Sequence, residues 1–590
     1  MPDTKAAITA RLHAARMQVA PESAQTPILL ERPKQAEHGD LSCNIAMQLA
    51  KALKANPRQI AEQIVAALQA QTQWADGLIS AAEIAGAGFI NLRLSIRTKH
   101  AVITQVLNAP ADWGRGARTQ ENIQVEYVSA NPTGPLHIGH GRGAAYGASL
   151  ANVLAAAGAT VTREFYINDA GRQMDILALS VWLRYLEARG RTVAFPADGY
   201  RGAYVRDIAV ALNQAHAAQL ERDDPRFAAA LQAAAQSEQV ADDEAVRGDA
   251  ALDALIALAR ELLATDWRVV HGFALQAMLA DQQDDLAQFG VTYAHWFSEQ
   301  SLHDSGQVAR AVAQLESAGH TYIKDGALWF RSTTFGDEKD RVIRRENGLL
   351  TYFASDIAYH LDKFSRGFDR VINVWGADHH GYIARVKGAL LACGVDAQRL
   401  TVALVQFAAL FRGGEKVAMG KRSGEFVTLR DLRREVGDDA ARFFYVLRKS
   451  DQHLDFDLDL AKSQSNDNPV YYVQYAHARV CSIFVQAKRD AQSLHSTPLS
   501  PLEGARELAL MQRIGEFPEL IQTAARELAP HLIAFYLREL AADFHAFYNA
   551  ERILVEDAAL SEARLALCAA TRYTLANGLA LLGVSAPERM

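Results

Sequence analysis

The chain has 590 residues, too many for one hydrophobic core, so several domains are expected. With 49% hydrophobic and 22% charged residues it reads as an ordinary soluble protein; it shows no apolar run of membrane-spanning length and no signal-peptide core, and a cytoplasmic location is expected. The formal net charge of −7 argues weakly against a nucleic-acid partner, because an acidic protein can still carry local basic faces.

Residues 1 to about 115 read as a separate α/β domain. Ile45, Leu49 and Leu53 recur at helical spacing, after Glu37-His38-Gly39-Asp40-Leu41-Ser42, a turn and cap. Asn56-Pro57 caps a second helix that turns Ile60, Ile64 and Leu68 inward. Phe89 to Leu94 alternates as a strand, with Ile90, Leu92 and Leu94 on one side.

A strand pattern over Ile123 to Val128 then runs into Ala130-Asn131-Pro132-Thr133-Gly134-Pro135-Leu136-His137-Ile138-Gly139-His140. A helix follows to about Ala157, Gly158 stops it, and Val161 to Ile167 is a second strand. Strand, Gly/Pro loop, helix start and strand form one nucleotide-binding half of a parallel sheet. Unpaired N–H groups at a helix start favour a polyphosphate. His137 and His140, three apart, share a face of the first turn and can donate to phosphate oxygens. Gly139 between them leaves room for a flat base.

About 176 to 320 reads as an Ala-rich helical insertion whose acidic runs, Asp223-Asp224 and Asp242-Asp243-Glu244, are solvated faces. The sheet is expected to resume with Gly326 to Phe330 and then Val371-Ile372-Asn373-Val374-Trp375, a buried-strand run. The loop Asp378-His379-His380 follows, then a helix to Leu391 stopped by Gly394, and a strand from Leu400 to Phe407. Two such halves place a crevice at the carboxyl ends of the strands, where their order switches. Glu126 and Asp356 are the acids placed to face it, with Tyr352 one turn before Asp356.

Gly413 to Gly424 holds four glycines with Lys416, Lys421 and Arg422, a composition suited to a polyphosphate. From about 440 the pattern turns wholly helical. Tyr472, Tyr475 and Arg479 share a helical face there, either to stack splayed bases or to pack between helices. Cys43, Cys393, Cys481 and Cys568 are scattered, with no disulfide or zinc spacing.

The tetrad His137-Ile138-Gly139-His140 resembles the first signature of class I aminoacyl-tRNA synthetases, and the longer run is similar to that of bacterial arginyl-tRNA synthetases, a likeness that extends over essentially the whole chain. Met419 and Lys421 match the second signature loop of the class, while Ala418 and Gly420 depart from it, so the expected role rests on Lys421, with Lys416 or Arg422 as helpers.

The resemblance implies a multidomain α/β plus all-α protein. It has an N-terminal additional domain (1–115) that contacts tRNA, a Rossmann-like parallel-sheet catalytic domain (116–440) and a helical anticodon-binding domain (441–590). It implies ATP-dependent arginylation of the tRNA for arginine through an arginyl-adenylate, with activation requiring bound tRNA. His137, His140 and Lys421 would be catalytic. Pro132, Gly134, His137, Gly139, His140, Met419 and Lys421 would bind ATP, with Mg²⁺ on the phosphates and no protein metal site or zinc. Glu126, Tyr352 and Asp356 would hold the arginine side chain, Asn131 and His140 its head, and His379 would contact substrate or adenosine. Tyr472, Tyr475 and Arg479 would face tRNA, and a monomer is expected. Rival readings are a zinc-dependent cysteine synthetase, an adenylate-forming transferase without RNA, and a catalytically idle RNA-binding relative.

Overall fold

The computed structural model describes residues 2–33, 35, 38–71, 77–236, 244–417 and 427–590. The chain forms two compact units: one from 1–118, 156–158 and 463–590, the other from 119–155 and 159–462.

The second unit is built on a five-stranded parallel sheet. Its strands are β1 (Asn122–Glu126), β2 (Thr160–Ile167), β3 (His295–Ser298), β4 (Arg370–Gly376) and β5 (Leu400–Val405), in the spatial order β5-β4-β1-β2-β3. The chain moves from β1 to β2 on one side and returns with β4 on the other. The order therefore switches between β1 and β4, the place in such a sheet where a ligand binds at the carboxyl ends of the strands. Ile123, Val125, Val371 and Ile372 are buried, as strands covered on both faces require. Asn373 is fully buried in the same apolar run, a polar group that must find partners.

Helix α1 (Ile138–Ala156) follows β1 and ends before Gly158, whose φ of +115° supplies the expected left-handed stop. Helix α2 (Asp266–Gln288) is the longest of the insertion, whose core gathers Trp182, Tyr185, Leu212, Leu255 and Val270. Helix α3 (Tyr352–Ser365) precedes β4, and α4 (Leu429–Val436) starts in a capping box between Thr428 and Asp431.

Four expectations need correction. Residues 176–320 are not one helical insertion: His295–Ser298 pairs with Glu164–Ile167 and closes the edge of the sheet. Ala327–Phe330 belongs to a separate antiparallel sheet with Thr321–Lys324 and Arg341–Arg344, so the parallel sheet resumes only at Arg370. Leu41–Cys43, expected as a turn and cap, is a strand. The region after 440 is not wholly helical, because Leu454–Asp457 pairs in parallel with Ala408–Phe411. These pieces have three or four residues, too short for their own periodicity to reveal them.

The first unit contains a four-stranded antiparallel sheet ordered Leu30–Glu31, Leu41–Cys43, Phe89–Leu94, Ile79–Ala85. The Asn56 side chain accepts from Arg58 N at 2.9 Å and starts the Pro57–Gln69 helix, a cap worth about 1 kcal/mol. The same unit holds the long helices Pro469–Ala487, Ala505–Arg526, His531–Ala550 and Ala558–Leu582. By length and composition Ala558–Leu582 could cross a membrane, contrary to the sequence reading, but 67% of its apolar window is buried inside the protein. The four cysteines are thiols.

Candidate active site

The chain leaves β1 through a strained turn. Val128 and Ser129 have φ of +70° and +42°, a conformation that costs a non-glycine residue about 1–3 kcal/mol. Side chains hold it: Ser129 Oγ donates to Glu126 Oε1 at 2.9 Å and accepts from Tyr166 N at 3.1 Å.

Beyond the turn, the insertion grips the loop. Gln282 Nε2 donates to the carbonyls of Asn131 and Gly134, each at 3.0 Å, and Tyr204 Oη donates to Thr133 O at 2.7 Å. The Asn131 side chain donates to Gln173 Oε1 at 2.7 Å, and Pro132 is buried.

His137 precedes α1 rather than belonging to it, and it forms an antiparallel bridge with Thr428. Leu429 N donates to Leu136 O at 2.8 Å, so the segment entering α4 is stitched to the first loop. The imidazoles of His137 and His140 stack with centroids 3.7 Å apart. His137 Nδ1 accepts from Gly139 N at 3.0 Å, and His140 Nδ1 accepts from His137 N at 3.2 Å. With Nδ1 accepting, a neutral ring carries its proton on Nε2. Burial first, and then the charge of His137, push His140 down to about 3, so it is neutral near pH 7. A side chain on Gly139 would meet the His137 ring at 2.8 Å and Phe407 at 3.2 Å. The expected space for a flat base at Gly139 is thus taken by these two rings.

On the other wall, α3 presents Asp356, Tyr359, His360 and Lys363. Asp356 accepts from Tyr382 Oη. Burial, and then the charges of Glu299 and Glu126, raise its carboxyl to about 7 against the opposing effects of Tyr382 and Arg385. Glu299, 3% exposed at the start of the Glu299–Asp304 helix, is also raised by burial, against hydrogen bonds with Tyr166 and Ser355. Two neighbouring acids whose ionisation is resisted form a site that a cation would complete.

Glu126 has a different environment from the one expected of it. Its carboxylate accepts from the fully buried ammonium of Lys363, which also donates to Asn373 Oδ1 at 2.7 Å. Asn373 Nδ2 donates to His360 Nε2 at 2.8 Å, and His360 Nδ1 donates to Asp356 O at 2.8 Å. Below them lies fully buried Glu164. Burial alone would raise its carboxyl, but bonds from Arg366, the charge of Lys363 and the Tyr359 hydroxyl outweigh that and hold it near 2.

The structure therefore brings Glu126, Asp356, His137 and His140 to the sheet's carboxyl ends. Tyr352 is 59% exposed at the first turn of α3. His379 is exposed in the Ala377–Tyr382 turn, with Nε2 3.6 Å from Asp378. Lys416 is exposed in a short strand paired with Phe411. Met419, Lys421 and Arg422 lie outside the described residues, so their roles rest on the sequence alone. Sequence reasoning missed Glu299, Tyr166, Tyr382 and Lys363; the one available signal was Asn373, a polar residue inside an apolar strand.

In the first unit, Tyr472 and Tyr475 pack on His545 with ring centroids at 4.8 and 5.8 Å, and Arg479 lies over Tyr475 and Tyr548 at 4.5 and 4.7 Å. Tyr472 also lines a cavity of about 440 Å³ with Asn466, Asp467, Phe535 and Arg538. Packing between helices and an open aromatic edge are therefore both present.

Comparison with known proteins agrees along the whole chain. Residues 3–94 match the arginyl tRNA synthetase N terminal domain, residues 102–212 and 234–454 the tRNA synthetases class I (R) catalytic domain, and residues 473–590 the DALR anticodon binding domain. The chain is 60% identical over 596 residues to the arginine–tRNA ligase of Aromatoleum aromaticum and 59% identical over 596 residues to that of an Azoarcus species, covering 100% of each pair. The solved arginyl-tRNA synthetase of Thermus thermophilus is 25% identical, with a TM-score of 0.74 and 99% of both chains covered. That of Plasmodium falciparum, at 15% identity and a TM-score of 0.73 over 99% of this chain and 98% of its own, shares the fold.

Proposed function

The chain belongs to the arginyl-tRNA synthetases of class I, and from that premise we propose how its own residues carry out the reaction. The enzyme attaches L-arginine to tRNA at the expense of ATP, through arginyl-adenylate. The arginine carboxylate oxygen attacks the α-phosphorus, and the bond to the β-phosphate bridging oxygen breaks as pyrophosphate leaves. A hydroxyl of the tRNA terminal ribose then attacks the arginyl carbonyl and AMP departs. Substrate supplies both nucleophiles, so the protein positions groups and stabilises charge.

In this reading, Asp356 and Glu299 accept the forked donors of the guanidinium, with Tyr382 and Tyr166 orienting the two acids. Tyr352 covers the mouth, and Asn131 lies where the amino-acid head would sit. The Nε2–H groups of His137 and His140 donate to the phosphates, while Pro132, Gly134 and Gly139 shape the loop. Lys421, with Met419 beside it, supplies positive charge to the departing pyrophosphate. His379 remains a candidate contact for substrate or adenosine.

Among the described residues there is no group of three His, Cys, Asp or Glu able to hold a metal ion. A Mg²⁺ accompanying ATP would neutralise part of the triphosphate charge. We assign tRNA contacts to the N-terminal module (1–115) and to the helical region carrying Tyr472, Tyr475 and Arg479, and we expect a cytoplasmic monomer.

The observation that carries the arginine pocket is the adjacency of Asp356 and Glu299, two buried acids whose ionisation is resisted and which a guanidinium would complete. The test is ATP–pyrophosphate exchange with each amino acid, with and without tRNA. Arginine with tRNA should respond alone, and exchange with any other amino acid would overturn the assignment.

A further inference from the structure

Lys363 is fully buried beside the arginine pocket, yet nothing in the mechanism above uses it. Its ammonium bonds Glu126 and Asn373 and lies 4.3 Å from the Tyr359 ring. A buried ammonium loses its hydration and is kept only where fixed partners replace it.

Two chains of hydrogen bonds leave this cation. One passes through Glu126 to Ser129 and Tyr166 N, and so braces the strained Val128–Ser129 turn. The other passes through Asn373 and His360 to the carbonyl of Asp356, the residue proposed to meet the guanidinium. The turn launches the loop carrying His137 and His140, whereas Asp356 is on the opposite wall.

We propose that Lys363 is a positioning residue that locks the nucleotide loop and the arginine pocket into one register, and that it cancels one of the three carboxylate charges of Glu126, Asp356 and Glu299. The inference rests on the assignment of Asp356 and Glu299 to the guanidinium. The groups facing the Lys363–Glu126 pair are Glu164 of β2 with its partner Arg366, Tyr166 of β2, Tyr293, Tyr359 and His360 of α3, and Asp356.

The test compares the unsubstituted full-length enzyme with Lys363→Met, Lys363→Arg and the double variant Lys363→Met/Glu126→Gln. Arginine-dependent ATP–pyrophosphate exchange with tRNA is followed from pH 6 to 8.5, beside thermal unfolding. Lys363→Met should raise the KM for arginine about tenfold or more and steepen the pH dependence of kcat/KM for arginine by about one further proton, because the stripped, buried carboxylate takes a proton up. The double variant should lose that extra proton while its KM stays raised, and Lys363→Arg should recover part of the loss.

A folded Lys363→Met enzyme with ordinary KM and slope would overturn the proposal. If that variant does not fold, the charge-balanced double variant decides: an ordinary KM overturns the proposal and a raised KM supports it. Failure of the pocket assignment shows separately, as an Asp356→Asn enzyme with undiminished arginine affinity.

Discussion

Raising the pH from 6 to 8 should strengthen arginine binding about tenfold, and Asp356 is the reason. Burial lifts its carboxyl to about 7. The guanidinium stays charged at every relevant pH and binds only the ionised acid well. The dissociation constant then scales as one plus ten to the power of the pKa minus the pH. That factor is about 11 at pH 6 and about 1.1 at pH 8. The sign follows from the direction of the shift: a raised carboxyl holds its proton until the pH passes the raised value, so affinity is lost on the acid side and levels off above pH 8. Glu299 is raised by the same cause and can only steepen the slope. Isothermal titration of arginine into the enzyme at fixed ionic strength measures this directly. Buffers of different ionisation enthalpy would report about half a proton released per arginine at pH 7. Asp356→Asn should weaken binding by roughly 10- to 100-fold and flatten the profile. A constant affinity from pH 6 to 8 in the unsubstituted enzyme would refute the argument.

Three further outcomes are expected. His140→Ala should slow adenylate formation on the order of 100-fold or more, checked by single-turnover exchange, and near-ordinary turnover would remove His140 from the site. Glu164, held near 2 where an ordinary carboxyl titrates near 4.5, contributes roughly 3 kcal/mol that is present above pH 5 and lost as the pH falls toward 2. Denaturant unfolding of Glu164→Gln should show that stretch of acid sensitivity reduced; an unaltered acid limb would contradict it. Tyr472→Ala should weaken tRNA binding about 5- to 100-fold while leaving ATP affinity alone, and unchanged tRNA affinity would return Tyr472 to the helix packing around His545.

How much was legible depended on whether a feature is written locally. The turn before His137, the start of α1 and the stop at Gly158 are set by residues adjacent in the chain, because proline, glycine and cap chemistry act over a few positions. The buried run around Val371 marked β4 for the same reason. Glu299 could not be found this way. It follows a four-residue strand whose membership in the sheet depends on pairing with Glu164–Ile167, more than a hundred residues earlier. Glu126 does end β1, as its strand pattern implied, but its partner Lys363 is 237 positions away. A sequence shows that an acid is present and says little about which cation has already claimed it. Asn373 was the exception, since a polar group within a buried strand must be satisfied, and following its bonds leads to both Lys363 and His360.

The paired imidazoles bear on where the enzyme finds its positive charge. Rings stacked at 3.7 Å cannot both be protonated without strong repulsion, and burial already holds His140 neutral. What His140 can offer is an oriented N–H donor whose strength changes little between pH 6 and 9, because burial keeps the ring neutral and the His137 amide occupies its Nδ1. Such a donor favours the rearranging phosphate over water without holding ATP as an ion pair would, which is what selective stabilisation of a transition state requires. The four negative charges of the triphosphate still need cations. On the proposed reading, Lys421 of the Gly413–Gly424 segment supplies the compensation of charge that the histidines cannot provide. Replacing it should cost activity that no rise in pH restores, whereas replacing His140 should leave the binding of ATP nearly intact and slow the chemical step.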